Sequence, residues 1–428
     1  MDQMDQDFVF INHEDVADVL PTKAGHLCEI SDFVDSISNE LWIVNRTIHD
    51  HPELGFKEFV AHDTLTKFMS SRRGWKVIPS AYGMATAWVA VFDSGKKGPT
   101  VSFNVEMDAL ENIGHACGHN LIATASVAAG LATAEILRQY GLGGKVVLFG
   151  TPAEEGKIKL LEAGAYGDYN VDVNLLSHPG ITANTAFMRT SAYTAFKVEY
   201  FGREAHAAAN PWLGINALDA IITAYNAISV LRQQTMPGDV IQGNITDGGL
   251  RPNVIHAYTA GNFVVRANSQ ARVRELKKKV DACFEAGASA TGATLKMTPT
   301  QKYADHVPNR VLADHYREHF NRLCPAEPIP DNPALDEIQG RTMASTDQGN
   351  ISYAMPSINV GFRIPAGRGG AGPHNPGFAE AAGTKVAFEA CIRAGKAMAA
   401  VGVDILRDVG LLEQVKRQWK QDIQSASK

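Results

Sequence analysis

The segment TVSFNVEMDALENIGHACGHN, residues 100–120, joins an apolar run to a group of polar side chains. The run at its start, residues 100–105, predicts a strand. Two further strand candidates end in the same way, the second in TPAEE at residues 151–155 and the third in SHP at residues 177–179. Since the carboxyl ends of parallel strands meet at one edge of a sheet, these polar residues are predicted to lie together.

Helical patterns separate the strand candidates, most clearly in the alanine-rich and leucine-rich residues 121–140. This alternation predicts an α/β fold with a mostly parallel sheet sandwiched by helices. Near residue 190 the pattern changes to strands and helices with short links, which predicts an inserted small α+β domain. The expected organisation is an irregular N-terminal arm (1–28), a catalytic domain in two parts (29–188 and 303–428) and an inserted domain (189–302).

A helical pattern also precedes the first strand. Apolar residues recur every three or four positions from Ser31 to His49, which predicts one amphipathic helix. Ser31 is the expected N-cap, and Pro52 is expected to end the helix.

Composition restricts the class of protein. Apolar residues make up 45% and charged residues 20%, as in a folded globular enzyme. The net charge of -6 provides no basic surface for nucleic acid or an anionic membrane. No run of about 18 apolar residues occurs, and the acidic start MDQMDQDFVF is unlike a secretory signal, so a cytoplasmic protein is expected. The five cysteines, an odd number without tight spacing, are expected to be reduced.

Several polar groups have the composition of a metal site. The string GHACGHN at residues 114–120 contains thiol and imidazole groups, which suit zinc; a chance cluster of these residues or a Cys-His covalent nucleophile is the alternative, of equal weight to the metal site. Of Glu154 and Glu155, one carboxylate is suited to bind metal and the other to act as general base; two solvated surface glutamates are the alternative. His178 and His374 are lone histidines, for which a structural role is the alternative.

These strings and others resemble the amidohydrolase branch of the aminoacylase and carboxypeptidase G family of di-metal peptidases. The resemblance extends from about residue 30 to 401, in order and at sensible spacing. The strings that carry it are MDAL (107–110), GHACGHN (114–120), GTPAEEG (150–156), GREAHA (202–207), NALDA (216–220), RPN (251–253), STDQGN (345–350) and FAEAAGT (378–384).

The resemblance implies two divalent metal ions per subunit, with zinc expected first and manganese or cobalt as alternatives. Glu154 matches the general base, and Asp108 matches an acid that orients the site. The residues that match the metal ligands are Cys117, His119, Glu155, His178 and His374.

The resemblance also implies that the inserted domain (189–302) is a lid or dimerisation domain. His206 matches a histidine that reaches the partner subunit's site to stabilise the oxyanion, which implies a homodimer through this domain. Asn253 matches a position that binds the substrate carboxylate or oxyanion. Arg266, a charged residue within an apolar strand, is a further candidate for substrate binding, with a surface ion pair as an equal alternative.

The nearest sub-group contains dipeptidases for basic C-terminal residues and aminobenzoyl-glutamate hydrolases, on the strings GHACGHNLI and LRQQ (231–234). It implies cleavage of an amide bond in a dipeptide or N-acyl amino acid with a free carboxylate. The alternatives are a specialised pathway substrate, amide formation, a non-hydrolytic metal-holding protein, or a cysteine hydrolase. Family members carry a glycine run after Glu-Glu-Gly, whereas Lys157 follows here at once, so a shorter and more basic loop is expected.

Overall fold

The computed structural model describes residues 26–426. Residues 1–25 of the expected N-terminal arm lie outside this range, and helix α1 (Leu27–Ser36) already includes residues 27 and 28. One predicted helix is wrong in detail, because the region from Ser31 to His49 forms two helices, α1 and α2 (Ser38–Asp50). The chain leaves helical geometry at Ile37 (φ -104°, ψ 5°), so that both helices pack on the same core.

The expected N-cap is also wrong, since Ser31 lies inside α1. Its hydroxyl accepts a hydrogen bond of 2.8 Å from the Lys396 ammonium, so its polar contact is with a distant helix instead of a helix end. The break before Pro52 is confirmed, because α2 ends at Asp50.

The larger sheet has six strands in the order β1-β2-β4-β3-β5-β10. Strands β4, β3, β5 and β10 are mutually parallel, whereas β1 and β2 pair antiparallel at one edge, which confirms a mostly parallel sheet. Its strands are β1 (Trp75–Pro79), β2 (Trp88–Asp93), β3 (Thr100–Glu106), β4 (Lys145–Thr151), β5 (Val173–Gly180) and β10 (Ser357–Arg363).

Helices cover both faces of this sheet. On one face, α4 (His119–Tyr140) and α13 (Lys385–Arg407) share the main hydrophobic core with α1, α2 and α9 (Arg310–Arg322). The opposite face is covered by α5 (Gly156–Glu162), α6 (Ala165–Asp168) and α11 (Gln348–Ala354). The remaining helices are α3 (Phe59–Ser70), α10 (Pro333–Gln339), α12 (Pro376–Ala382) and α14 (Val409–Ala426).

Helix α4 is long and apolar enough to cross a membrane by length and composition alone. In the structure, 94% of its most apolar window is buried inside the protein. Its composition is therefore accounted for by its position between the sheet and α13.

A second sheet has four antiparallel strands in the order β7-β8-β6-β9 and a hydrophobic core of its own. Helices α7 (Ala217–Leu231) and α8 (Gln270–Thr291) pack against it. The edge strands were not predicted, because their side chains are mostly polar and exposed or half-buried. The strands are β6 (Ala192–Phe201), β7 (Val240–Asp247), β8 (Tyr258–Ala267) and β9 (Thr294–Tyr303).

Candidate metal centre

The carboxyl ends of β4, β3 and β5 lie side by side and carry the polar segments singled out in the sequence. Cys117 and His119 follow β3, Glu154 follows β4, and His178 lies in the last part of β5. The order of the strands therefore brings together residues that are up to 61 positions apart.

Cys117, His119 and His178 form the centre of the site, with their ligand atoms all within 4.8 Å of one another. The Cys117 Sγ lies 3.5 Å from the His178 Nε2. Gly118, between the first two residues, has a left-handed conformation (φ 80°). A Cβ at this position would lie 2.5 Å from the Pro179 Cγ, so only glycine allows this close approach of the two strand ends.

His119 is held from behind by Asp108. The His119 Nδ1 lies 2.8 Å from the Asp108 Oδ1. A proton on Nδ1 leaves the Nε2 lone pair free, as a metal ligand requires. That Nε2 is buried and has no hydrogen-bond partner among residues 26–426.

The electrostatics of the cluster favour a thiolate. Burial opposes ionisation of Cys117, but the charges of His119 and His178 hold the pKa of its thiol well below the usual value. Burial likewise opposes protonation of His178, but the charge of Cys117 raises the pKa of this imidazole to about 9. The thiolate is the form that binds metal, so the site is prepared for a cation.

His374 also reaches the cluster, from a distant part of the chain. It follows the glycine-rich segment 366–373, and its backbone is left-handed (φ 65°). Its N–H donates to the Ala116 carbonyl over 2.7 Å. The neighbouring Cys117 raises the pKa of the His374 imidazole.

His115, the other histidine of the GHACGHN string, is directed away from the site. Its ring is buried, and its Nε2 lies 3.0 Å from the Ile48 carbonyl. Burial lowers its pKa to about 3. It is therefore a neutral structural residue.

The two adjacent glutamates point in different directions. The Glu154 Oε2 lies 3.8 Å from the His119 Nε2, and burial together with the charge of Glu106 raises the pKa of Glu154. The Glu155 Oε1 instead accepts a 2.7 Å hydrogen bond from Gln301 Nε2 on β9. The structure thus brings Glu154 to the cluster, whereas the expected ligand Glu155 is bound to the second sheet.

Glu106, the last residue of β3, is a site residue that the sequence interpretation missed. Its Oε2 lies 3.3 Å from the His119 Nε2 and has no hydrogen-bond partner among the described residues. The Lys157 ammonium lies 2.5 Å from its Oε1 and, despite its burial, lowers its pKa to about 2. The sequence feature that could have identified Glu106 is an acidic residue at the end of a predicted strand, two positions before Asp108.

The prediction that Lys157 makes the loop more basic is wrong, because this residue is fully buried in α5. Its ammonium contacts both Glu106 and Asp347, and its N–H donates to the Asp347 Oδ2 over 2.9 Å. Two buried carboxylates therefore draw this lysine into the protein, away from the loop surface. Asp347 was not singled out either, although it lies in the STDQGN string.

The predicted residues of the inserted domain lie outside this cluster. His206 and Asn253 are on exposed loops, with the His206 Nδ1 accepting hydrogen bonds from the N–H groups of Ala208 and Ala209. Among residues 26–426, Arg266 has no carboxylate partner for the surface ion pair considered as its alternative role. Its guanidinium donates to the Ser345 Oγ over 2.9 Å and lies 4.5 Å from the centre of the Tyr193 ring.

The residues of the centre fit a divalent cation. With the His119 proton on Nδ1, the facing Nε2 and Glu106 Oε2 both present lone pairs, 3.3 Å apart and buried. Two such atoms repel each other unless a positive charge lies between them. Without a metal ion that charge is a second proton on His119, since, against the effect of burial, Asp108 and Cys117 hold the pKa of this imidazole well above its usual value; a bound metal ion would replace that proton. Thiolate, imidazole and carboxylate are the ligands that zinc uses in proteins.

Comparison with known proteins gives consistent results. A family described as "Peptidase dimerisation domain" matches residues 190–291. The chain is 37% identical to the Xaa-Arg dipeptidase of Mus musculus over 405 residues, covering 91% of both chains. It is 27% identical to one of the two chains of the p-aminobenzoyl-glutamate hydrolase of Escherichia coli, covering 90% of this protein and 91% of the relative.

A solved structure has the same fold. The Bacillus subtilis YXEP protein, described as a dinuclear metal-binding peptidase of the M20 family, superposes with a TM-score of 0.63 at 18% identity. The match covers 87% of this chain and 99% of that protein. The resemblance seen in the sequence is thus confirmed, and the chain is an enzyme of the M20 family of peptidases and amidohydrolases.

Proposed function

We propose that this enzyme is a metal-dependent amidohydrolase that cleaves the amide bond of a dipeptide or an N-acyl amino acid with a free carboxylate. The observation that carries the proposal is the buried meeting of Cys117, His119 and His178 at adjacent strand ends. The names of its relatives support this substrate class, since an Xaa-Arg dipeptidase and an aminobenzoyl-glutamate hydrolase both cleave an amide to an amino acid.

Two divalent ions fit the donor set, with zinc expected first and manganese or cobalt as alternatives. Cys117, His119, His178 and His374 would hold them. The resemblance adds Glu155, whereas Glu106 and Glu154 are the carboxylates near His119 in this structure. When bound, such ions would polarise the scissile carbonyl and lower the pKa of a water molecule.

Glu154 is the proposed general base. Its side chain is 30% exposed, so it can face both the buried cluster and an entering substrate. Its raised pKa brings the carboxylate closer to the pKa range useful for proton transfer near neutral pH. Its Oε2 accepts a proton from the attacking water and returns it to the leaving amine nitrogen.

Residues 189–302 are proposed to act as a lid and as the surface of a homodimer. His206 is exposed, and its Nδ1 is occupied by backbone donors, which leaves its Nε2 available for a contact with another molecule. We infer that it reaches the site of the second protomer and stabilises the oxyanion there. Asn253 and Arg266 are the proposed contacts for the substrate carboxylate or the oxyanion.

A second candidate is a cysteine hydrolase, because Cys117 has a lowered pKa and lies 3.5 Å from the His178 Nε2. In that case, the Cys117 Sγ attacks the amide carbonyl and His178 protonates the leaving amine. This activity would survive chelation and end on alkylation of the thiol.

The two candidates are separated by one experiment. Bound metal is measured by elemental analysis, and hydrolysis of a panel of dipeptides and N-acyl amino acids is followed before and after chelation. About two equivalents of metal with chelator-sensitive cleavage would support the metallo-amidohydrolase. Cleavage that persists in the metal-free enzyme would favour the cysteine hydrolase, and a protein that binds no metal on reconstitution would refute the metal-dependent function.

A further inference from the structure

A second cluster of metal-binding side chains lies between α9 and α13, away from the strand ends that carry Cys117. It consists of His315 and His319 on α9 and Asp404 on α13. The Asp404 Oδ2 lies 2.9 Å from the His315 Nδ1 and 2.7 Å from the His319 Nε2. The three ligand atoms are all within 4.8 Å of one another.

The position of this cluster follows from helix packing. Residues four positions apart lie on one face of a helix, so both imidazoles of α9 point toward α13. Tyr316 and Phe320 belong to the hydrophobic core shared with α13, which fixes the distance between the two helices. The pairing is therefore part of a rigid interface.

The cluster is buried on one side and open on the other. The side chain of His319 is 5% exposed and that of Asp404 is 18% exposed. His315 is 35% exposed and lines a surface groove of about 590 Å³. A small ion thus has a path of entry, and the groove leaves space for a water molecule as a further ligand.

We propose that His315, His319 and Asp404 bind one divalent transition-metal ion such as Zn²⁺, in addition to the ions at the catalytic centre. Two imidazole nitrogens and one carboxylate oxygen form a common zinc ligand set. Tetrahedral zinc, with bonds of about 2.0–2.2 Å, separates its ligand atoms by about 3.3 Å. The two observed contacts need to open by only about 0.5 Å to reach that separation.

The surroundings do not oppose a cation. Two arginines that line the groove are neutralised by carboxylates on the same helix, Arg317 by Asp314 and Arg322 by Glu318. The carboxylate of Asp331 lines the groove as well. A bound ion would join α9 to α13, the helices that follow the inserted segment and cover the sheet.

The proposal is tested on the full-length enzyme by zinc content after gel filtration in metal-free buffer. We expect the wild type to retain one equivalent more than His315→Ala or Asp404→Asn. His315 is half-buried, so its replacement is expected to leave the fold intact. His51→Ala, which removes an exposed histidine outside the cluster, is the matched control and should retain the wild-type content.

A second measurement does not depend on counting equivalents. Zn²⁺ added to the chelator-treated enzyme should raise the Tm of the wild type more than that of His315→Ala, because an ion at this cluster stabilises only the folded state. Hydrolytic activity of His315→Ala should equal that of the wild type. Equal zinc content and equal Tm shifts in wild type and variant would overturn the proposal, and would leave the cluster as a hydrogen-bonded link between two helices.

Discussion

The Glu106 Oε2 and the His119 Nε2 lie 3.3 Å apart in the interior, and neither has a hydrogen-bond partner among the residues that the structure describes. Each atom is held in place from behind, the first by Lys157 and the second by Asp108. The protein thus positions two electron-rich atoms against each other, as expected for an enzyme that places a cation between them.

Glu106→Gln is therefore expected to weaken the binding of one metal ion by about 10-fold to 100-fold. The measurement is equilibrium dialysis with zinc, preceded by circular dichroism to verify folding. Glu155→Gln is the matched comparison, since the Glu155 carboxylate is bound to Gln301. If only the Glu155 variant loses metal, Glu155 rotates to the ion on binding, and Glu106 is not a ligand.

Lys157→Met should destabilise the fold by about 3–5 kcal/mol, because it leaves the buried carboxylates of Glu106 and Asp347 without a counter-charge. Urea unfolding of the chelated protein measures this change. Lys159→Met is the control, since within the described part of the chain the Lys159 ammonium contacts only the Phe56 ring, 3.9 Å from its centre, which is worth about 0.5–1 kcal/mol. Similar losses in the two variants would contradict the buried ion-pair interpretation.

Glu154→Gln should lower kcat by about 10²-fold to 10⁴-fold while the bound metal is retained, if Glu154 transfers the proton. The base acts only when it is deprotonated, and its pKa is raised by burial and by Glu106. Wild-type kcat/KM should therefore begin to fall, as the pH is lowered, at a higher pH than for an ordinary glutamate. A variant with full activity would assign the proton transfer to another group.

The role of His206 can be tested by mixing two inactive variants, Glu154→Gln and His206→Ala. If His206 acts across a homodimer, each mixed dimer contains one complete site. Equal amounts that exchange subunits freely should then recover about a quarter of the wild-type activity. Mixing Glu154→Gln with the double variant should recover none, and absence of recovery in the first mixture would place His206 outside the partner's site.

The strand ends of the site could be predicted from the sequence because each combines an apolar run with the polar residues that follow it. Cys117, His119 and His178 come together for that reason. The close contact between Gly118 and Pro179 leaves no space for a side chain at position 118, which accounts for the glycine in the sequence. His374 was singled out as a lone histidine, but only the resemblance assigned it to the metal site. Its neighbour Ala116 is 258 positions away along the chain, and no local pattern indicates that contact.

Other features of the structure could not be predicted from the local sequence. Lys157 follows two glutamates and has the local sequence of a surface residue, whereas its burial depends on Asp347, 190 positions later. Strands β7 and β9 lie at the edges of their sheet, where polar side chains conceal the strand pattern. The break at Ile37 follows from packing of α1 and α2 on a shared core, which a helical period alone does not include.

The hydrogen bond from Gln301 to Glu155 links the two sheets at the edge of the catalytic centre. Gln301 belongs to β9, whose partner strand β6 is central to the second sheet, so the donor moves whenever that sheet moves as a body. A displacement of the second sheet must either carry the Glu155 carboxylate with it or release it toward the cluster. The orientation of the Glu155 side chain is thus coupled to the relative position of the two sheets.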